Sequence, residues 1–473
     1  MDTERVLDIF KEITVIPRES GNEGPITAWL EKWAAARNLD ARKDGIGNLC
    51  ITKEASKGRE NVPTLVLQAH QDMVCEKIAG STHDFRKDPI NYVLEDGWMV
   101  AKETTLGADD GIGIAAALAI LESDAPMGKV EAVFTISEET GMDGAFAMKE
   151  GFFTGKTLIN LDSEDEGQLF IGCAGGLNTR IRVPYSTEAI RQDLTLIELK
   201  ISGGVGGHSG DDINKGRANA VQLMTRFLFP ELDYGCQLVD FDGGGKPNAI
   251  ARESRALIAV PKPKAALARW KKFSSEVAAE YHVTEPGLCF EALRASTRLH
   301  AVDYFSSVAL LSSLFTCPHG VQNMSQDIEG LVQTSTNLAS VHRRGGYFEI
   351  VTSQRSPSTS ERRYIAAKVR ANFEALGADV RHMYEYPGWN PNPDSNILKV
   401  CVESYRRLFA QEPEVKAIHA GLECGLFLEK FPGLDMISFG PTLRGVHAPG
   451  ERLELASMDK FVKLLFDVVC NFR

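Results

Sequence analysis

Four short segments place acids or histidines close behind apolar runs. His70-Gln71-Asp72 follows the run 64–67, Glu138-Glu139 follows 130–136, and Asp162 follows 158–161. His447 stands in a Gly/Pro loop a few residues past the run 434–439. A fifth segment, Leu106-Gly107-Ala108-Asp109-Asp110-Gly111, lies at the entry to a helical pattern. Each has an ordinary use when taken singly: Asp109 or Asp110 as a helix N-cap, Glu138-Glu139 as a solvated loop pair, Asp162 in a turn, His70 as a structural histidine. Packing does not require the coincidence of all of them, and clustering so many carboxylates without cations is strongly unfavourable. Imidazole and carboxylate without thiolate suit zinc, cobalt or manganese. Two histidines and three carboxylates are too many for one tetrahedral catalytic zinc with an open position, and about right for two metals that share a carboxylate. Such a pair activates water and polarises a carbonyl. One acid of Glu138-Glu139 would remain free to shuttle a proton, and Asp72 could reach the second ring nitrogen of His70. The chemistry expected is metal-assisted hydrolysis.

The elements that must position these residues are legible as patterns. Continuous rather than alternating apolarity in the four runs marks strands buried on both faces, as in an α/β sheet, with helices between them, notably over 113–121. If that sheet is mostly parallel, the residues behind its strands collect at the carboxyl edge, where open α/β sheets place their sites. The first forty residues read as two amphipathic helices, one with Val6, Ile9, Phe10 and Ile13 on a face, the other with Ile26, Leu30 and Trp33 and Pro25 in its first turn. Between about 188 and 385 the texture changes. Ile197, Leu199 and Ile201 alternate with polar residues, as in the half-exposed strands of an antiparallel sheet. The segments 337–341 and 347–352 flank Gly345-Gly346 as a hairpin, and Ser358 with Glu361 forms a capping-box pattern for a helix that Gly377 is placed to end. The fourth buried run lies beyond this section, so it reads as an insertion. The expected architecture is α/β: a catalytic domain over 1–187 and 386–473 with a mostly parallel mixed sheet flanked by helices, interrupted by an inserted α+β domain over 188–385.

Composition narrows the class. The 473 residues are 43% hydrophobic and 25% charged, ordinary for a folded chain with more than one core, which excludes disordered and collagen-like readings. A formal net charge of −12 repels phosphate backbones. The short clusters Arg343-Arg344 and Arg362-Arg363 are too interleaved to overcome it, so no nucleic-acid partner is expected. Met1-Asp2-Thr3-Glu4-Arg5 carries acids where a signal peptide needs positive charge, and 111–121 is about half the length of a membrane span, so no membrane association is expected. Nine cysteines without a Cys-x-x-Cys pair argue against a disulfide framework and for a reducing, cytoplasmic location. The glycine-rich segment Gly203 to His208 is no nucleotide loop: Ser209 occupies the place of the third fingerprint glycine after Gly204-Val205-Gly206, and no P-loop Lys-Ser/Thr follows. The remaining histidines, His83, His282, His300, His319, His342 and His382, join no constellation.

The motifs His70-Gln71-Asp72, Leu106 to Gly113, Ser137-Glu138-Glu139-Thr140-Gly141, Asn160-Leu161-Asp162-Ser163-Glu164 and Gly440 to His447 together resemble those of the co-catalytic zinc exopeptidases, which include carnosinases and aminoacylases. His419-Ala420-Gly421-Leu422-Glu423-Cys424-Gly425 and His208-Ser209-Gly210 are similar to the branch of bacterial aminoacyl-histidine dipeptidases. The resemblance spans essentially the whole chain and implies that the inserted domain over 188–385 is a lid/dimerisation domain. It implies two Zn²⁺ per chain, with Co²⁺ or Mn²⁺ as substitutes. His70 and Asp162 would hold one, Glu139 and His447 the other, with Asp109 bridging. Asp110 often stands as Asn in relatives, which blurs which Asp is the ligand. The resemblance further implies Glu138 as general base and then acid, Asp72 orienting His70, His208 on the oxyanion and Arg355 on the substrate carboxylate; Glu423 would face the substrate amine. Arg343, Arg344 and Arg362 are chemically equal candidates for the carboxylate clamp. The implied activity is hydrolysis of unblocked dipeptides, Xaa-His and broader, by a metal-activated water, and a homodimer is common in the family. The alternatives are an N-acyl amino acid deacylase or tripeptidase on the same scaffold, or a non-catalytic metal- or peptide-binding relative.

Overall fold

The computed structural model describes residues 3–473; Met1 and Asp2, which open the acidic N-terminal segment, lie outside it. Two compact units emerge. The first contains the residues through Gly172, Trp389–Ala417 and Leu422–Arg473, and the second contains Cys173–Gly388 and Ile418–Gly421. The first boundary falls earlier than 187/188 because Gly175–Pro184 is already a strand of the second unit's sheet, paired with Tyr347–Ser356.

The first unit holds an eight-stranded mixed sheet. In spatial order its strands are Asp40–Lys43, Leu49–Lys53, Val130–Thr135, Leu65–His70, Thr157–Asn160, Asp435–Ser438, Gln168–Cys173 and Glu414–Ile418. The four apolar runs form its four central strands, and their three pairings are all parallel. Antiparallel strands close the sheet on both sides. Leu65–His70 and Val130–Thr135 are buried along their whole length, as strands covered on both faces must be. The helices Thr3–Ile13 and Gly24–Ala35 bury the apolar faces seen in the sequence, and Pro25 sits in the first turn of the second. The helix Ala108–Glu122 is buried on every side up to Leu121, which explains its lack of a polar stripe. No described helix is long and apolar enough to cross a membrane.

The second unit is built on a nine-stranded antiparallel sheet. Thr195–Ser202 shows the alternating burial that its sequence pattern requires. Val332–Arg343 and Tyr347–Ser356 form the hairpin across Gly345-Gly346. The helices Ala220–Glu231, Pro263–Glu280, Tyr304–Thr316 and Thr359–Glu374 share one core with the sheet, including an edge-to-face Phe227–Trp270 pair with centroids 4.7 Å apart. Only half of the capping box forms. Ser358 accepts from Glu361 N at 3.4 Å, but the Ser358 amide donates to Ser356 Oγ at 3.2 Å, and the Glu361 carboxylate accepts instead from Gln333 at 2.8 Å and Thr334 at 3.2 Å. The helix ends at Glu374, and Gly377 follows with φ +82.

His319 accepts a hydrogen bond at Nδ1 from Leu338 N at 3.0 Å, and burial lowers its pKa to about 4. The unfolded chain then binds the extra proton below about pH 6.5 while the folded chain refuses it until about 4, so this contribution is present above 6.5 and lost as pH falls between the two values. The expected outcome is a melting temperature that falls from pH 7 to 4.5, and falls less in His319→Asn, which retains an acceptor without a titrating ring. Parallel wild-type and variant profiles from thermal denaturation would contradict this.

Candidate metal centre

The four parallel strands end on one edge, and the side chains behind them converge there. His70 closes Leu65–His70 and is buried. Its Nε2 lies 2.9 Å from Asp109 Oδ1 and 3.7 Å from Asp162 Oδ1, and its Nδ1 lies 3.4 Å from Asp72 Oδ1. His447 reaches the other oxygen of Asp109 at 3.1 Å and Glu139 at 2.9 Å. Asp109 therefore stands between two imidazoles, one at each oxygen. Asp110, joined to it by a cis peptide bond, also accepts from the backbone: His70 N donates to its Oδ2 at 3.3 Å and Gly113 N to its Oδ1 at 3.2 Å. Two ligand groupings are close enough to enclose an ion, His70 with Asp109 and Glu139, and His70 with Asp110 and Asp162.

Asp72 is fully buried and spoken for on every side. Glu138 N and Glu139 N donate to its two oxygens at 3.1 and 3.3 Å, and Ser20 Oγ donates at 2.7 Å. It thus fixes the backbone of the short helix Glu138–Gly141 as well as the imidazole of His70. The Glu138 side chain is not drawn into this network.

The charge balance records the crowding. Burial would raise Asp109, but hydrogen bonds from His447 and His70 hold it far below the usual carboxylate range. His447 rises to about 11 through its bonds to Asp109 and Glu139. His70, despite burial, is carried well above its ordinary value by Asp109, Asp162 and Asp72. Asp162 is pushed up to about 6, first by burial and then by Asp109, and Glu138 stands well above its usual range, chiefly through burial. The raised proton affinity of the two imidazoles offsets a surplus of carboxylates. Divalent ions would do this better and free the imidazole nitrogens to ligate, so the donor set fits a pair of metals.

Glu423 is fully buried, its Oε2 accepts from Gln68 and Thr135 at 2.7 Å each, and its Oε1 has no hydrogen-bond partner. Burial pushes it up to about 8.

In the second unit, His208 and Arg355 come together. Arg355 is buried on Tyr347–Ser356 and donates to Ser209 Oγ at 3.3 Å and Tyr386 Oη at 3.2 Å, with His208 Nε2 at 3.3 Å. His208 Nδ1 lies 3.2 Å from Asp211. The rival arginines are committed: Arg362 to Glu385 at 3.1 Å, Arg344 to Glu349 at 3.7 Å, and Arg343 to Tyr185 and backbone carbonyls. Arg355 and Arg343 spend their donors on neutral neighbours, and of the two only Arg355 lies beside His208. His419 joins Ser335 at 2.7 Å in the same unit, a pairing with no periodic signal in the sequence.

The family model described as Peptidase family M20/M25/M40 matches residues 66–471. The chain is 36% identical over 471 residues to the cytosol non-specific dipeptidase of Escherichia coli strain K12, an alignment covering 98% of this chain and 96% of that one. The crystal structure of the aminoacylhistidine dipeptidase from Vibrio alginolyticus is similar at TM-score 0.90 and 34% identity, covering 99% of this chain and 96% of that one. The aminopeptidase PepT of Bacillus cereus, at 16% identity and TM-score 0.63 over 99% of this chain and 98% of that one, shares the fold alone.

Metal stripping should lower the melting temperature, and added Zn²⁺ should restore it; an ion at a hundred times its Kd contributes about 2.7 kcal/mol. Asp109→Asn is expected to lose most of that rise, since both imidazoles face its side chain, while Asp110→Asn keeps most of it. Equal losses in the two variants, read by thermal denaturation with and without Zn²⁺, would assign the shared carboxylate to neither alone.

Proposed function

The chain belongs to the peptidase family M20/M25/M40, and from that premise we propose that it is a metallo-dipeptidase that cleaves the peptide bond of unblocked dipeptides, Xaa-His and broader. The observation that carries this is Asp109, with one oxygen toward His70 and the other toward His447, beside a Glu138 that no hydrogen bond ties into the ligand cluster. His70 and Asp162 would hold one metal, Glu139 and His447 the other, and Asp109 both. The ions, Zn²⁺ with Co²⁺ or Mn²⁺ as substitutes, would supply Lewis acidity that lowers the pKa of water and polarises the scissile carbonyl.

The chain's own residues do the rest. Glu138 takes the proton of the attacking water and returns it to the leaving amine; its raised proton affinity suits a group that must hold the proton between the two steps. Asp72 keeps His70 oriented and pins the Glu138 and Glu139 backbone. His208 stabilises the oxyanion, and Arg355 binds the substrate's terminal carboxylate with its planar fork. The cytosolic location in the Escherichia coli relative's name is extended to this chain.

A panel of Ala-His, β-Ala-His, Gly-Gly, Ala-Ala-Ala and N-acetyl-Met, offered to metal-stripped enzyme with and without Zn²⁺, tests the activity. Zinc-restored cleavage confined to the dipeptides is expected; cleavage of N-acetyl-Met alone would make the chain a deacylase, and silence with metal bound would make it a binder. Glu138→Gln should lower kcat by about 10²–10⁴-fold with both metals still bound, and retained turnover would remove Glu138 from its role. Arg355→Lys should raise KM for dipeptides by about 10–100-fold, the loss of one charged hydrogen bond; an unchanged KM would move the carboxylate contact elsewhere.

A further inference from the structure

Two buried charged residues outside the ligand set grip the loops that carry it. Glu451, 2% exposed, lies four residues past His447 in the same loop. Its Oε2 accepts from Leu106 N at 2.7 Å and Gly107 N at 3.0 Å, and its Oε1 accepts from Ala108 N at 2.8 Å and Asp109 N at 3.4 Å. One carboxylate therefore receives four consecutive amides leading into the shared acid. Arg18, also 2% exposed, works on the carbonyl side. It donates to Asp72 O at 2.7 Å and Gln71 O at 3.1 Å, just past His70, and to Gly107 O. The backbone of residue 18 adds a bond from Met73 N at 3.0 Å.

The peptide groups of Gly107 are thus held from both directions, the amide by Glu451 and the carbonyl by Arg18. The glycines fit this arrangement. Gly107 has φ +69, and a Cβ there would run into the Arg18 guanidinium and the Met73 sulfur; a Cβ at Gly111 would lie 2.7 Å from Arg18 Nη2. The space that side chains would occupy is given to the guanidinium.

We propose that Arg18 and Glu451 are positioning residues for the metal centre: through the 106–109 backbone they set the spacing between the loops bearing His70, Asp109 and His447. A buried carboxylate accepting backbone amides, and a guanidinium bridging carbonyls, are strong and directional. Partners that orient metal ligands from behind typically contribute about 10–100-fold to metal affinity. This rests on the metal-centre reading above.

The test measures Zn²⁺ affinity in the folded, metal-stripped chain by competition with a chromophoric chelator. Glu451→Gln keeps the shape but replaces one acceptor oxygen by a donor facing amides, and should weaken affinity at least 10-fold. Arg18→Lys, which cannot span the same three carbonyls, should do the same and stands in if the first variant fails to fold. Glu131→Gln is the control for a purely structural effect. Glu131 is equally buried and accepts from Thr154 N at 2.7 Å and Gly155 N at 3.0 Å, just before the Thr157–Asn160 strand and at the far end of the sheet from the metal cluster. It should lower the melting temperature with Zn²⁺ affinity unchanged. In the two positioning variants kcat should fall more than KM rises, with partial recovery at saturating Zn²⁺. Wild-type affinity in whichever positioning variant folds, or an equal loss in Glu131→Gln, overturns the proposal. A wild-type chain without Zn²⁺ affinity would instead overturn the metal centre itself.

Discussion

Carboxylates that share a small, poorly hydrated volume cannot all ionise unless positive charge is brought among them, and the first unit is organised around that constraint. Asp72, Asp109, Asp110, Asp162, Glu138 and Glu139 meet at one edge of one sheet, and they are accommodated in several ways. Asp72 is neutralised by amides, a hydroxyl and an imidazole. Asp110 is turned to backbone donors. Asp109 is shared by two imidazoles, while Asp162 and Glu138 show raised proton affinity, first through burial and then through neighbouring carboxylates. Those with fixed donors suit holding the site together. Those facing imidazoles or each other suit cations and protons.

A parallel sheet brings loops to a common edge but supplies no hydrogen-bond ladder beyond it, so the loop amides and carbonyls need other partners. Buried charged side chains meet that need repeatedly. Glu451 takes the amides before Asp109, Arg18 the carbonyls after His70, and Asp72 the amides of Glu138 and Glu139. Glu23 accepts from Ser137 N at 2.9 Å, immediately ahead of Glu138. Charged residues here do structural work because their hydrogen bonds to backbone are stronger than neutral ones, and each is placed where a chemically active side chain must not drift.

The second unit solves a different problem. Its antiparallel sheet is covered by helices, and most of its arginines are paired with acids, as on any folded surface or core. Arg355, like Arg343, departs from that pattern; its neighbours are hydroxyls and an imidazole. It is buried without a counterion in direct contact, which is the arrangement the proposed carboxylate contact would complete.

The sequence by itself determined the four central strands and the reactive residues behind them. Continuous apolarity and the residue types that follow it are local properties, and parallel pairing carries them to one edge without further instruction. The Ser358 cap and the hairpin across Gly345-Gly346 were legible for the same reason. Tertiary structure alone decided which acid spans both imidazoles, that Glu423 is enclosed rather than open, that Glu361 leaves its capping box for Gln333 and Thr334, and that the second unit begins before residue 188. It also decided the partnership of Glu451 with Leu106, 345 positions away along the chain. Such contacts leave no period or motif, because a hydrogen bond depends on where two groups meet in space, and residues hundreds of positions apart meet only once the sheet has formed.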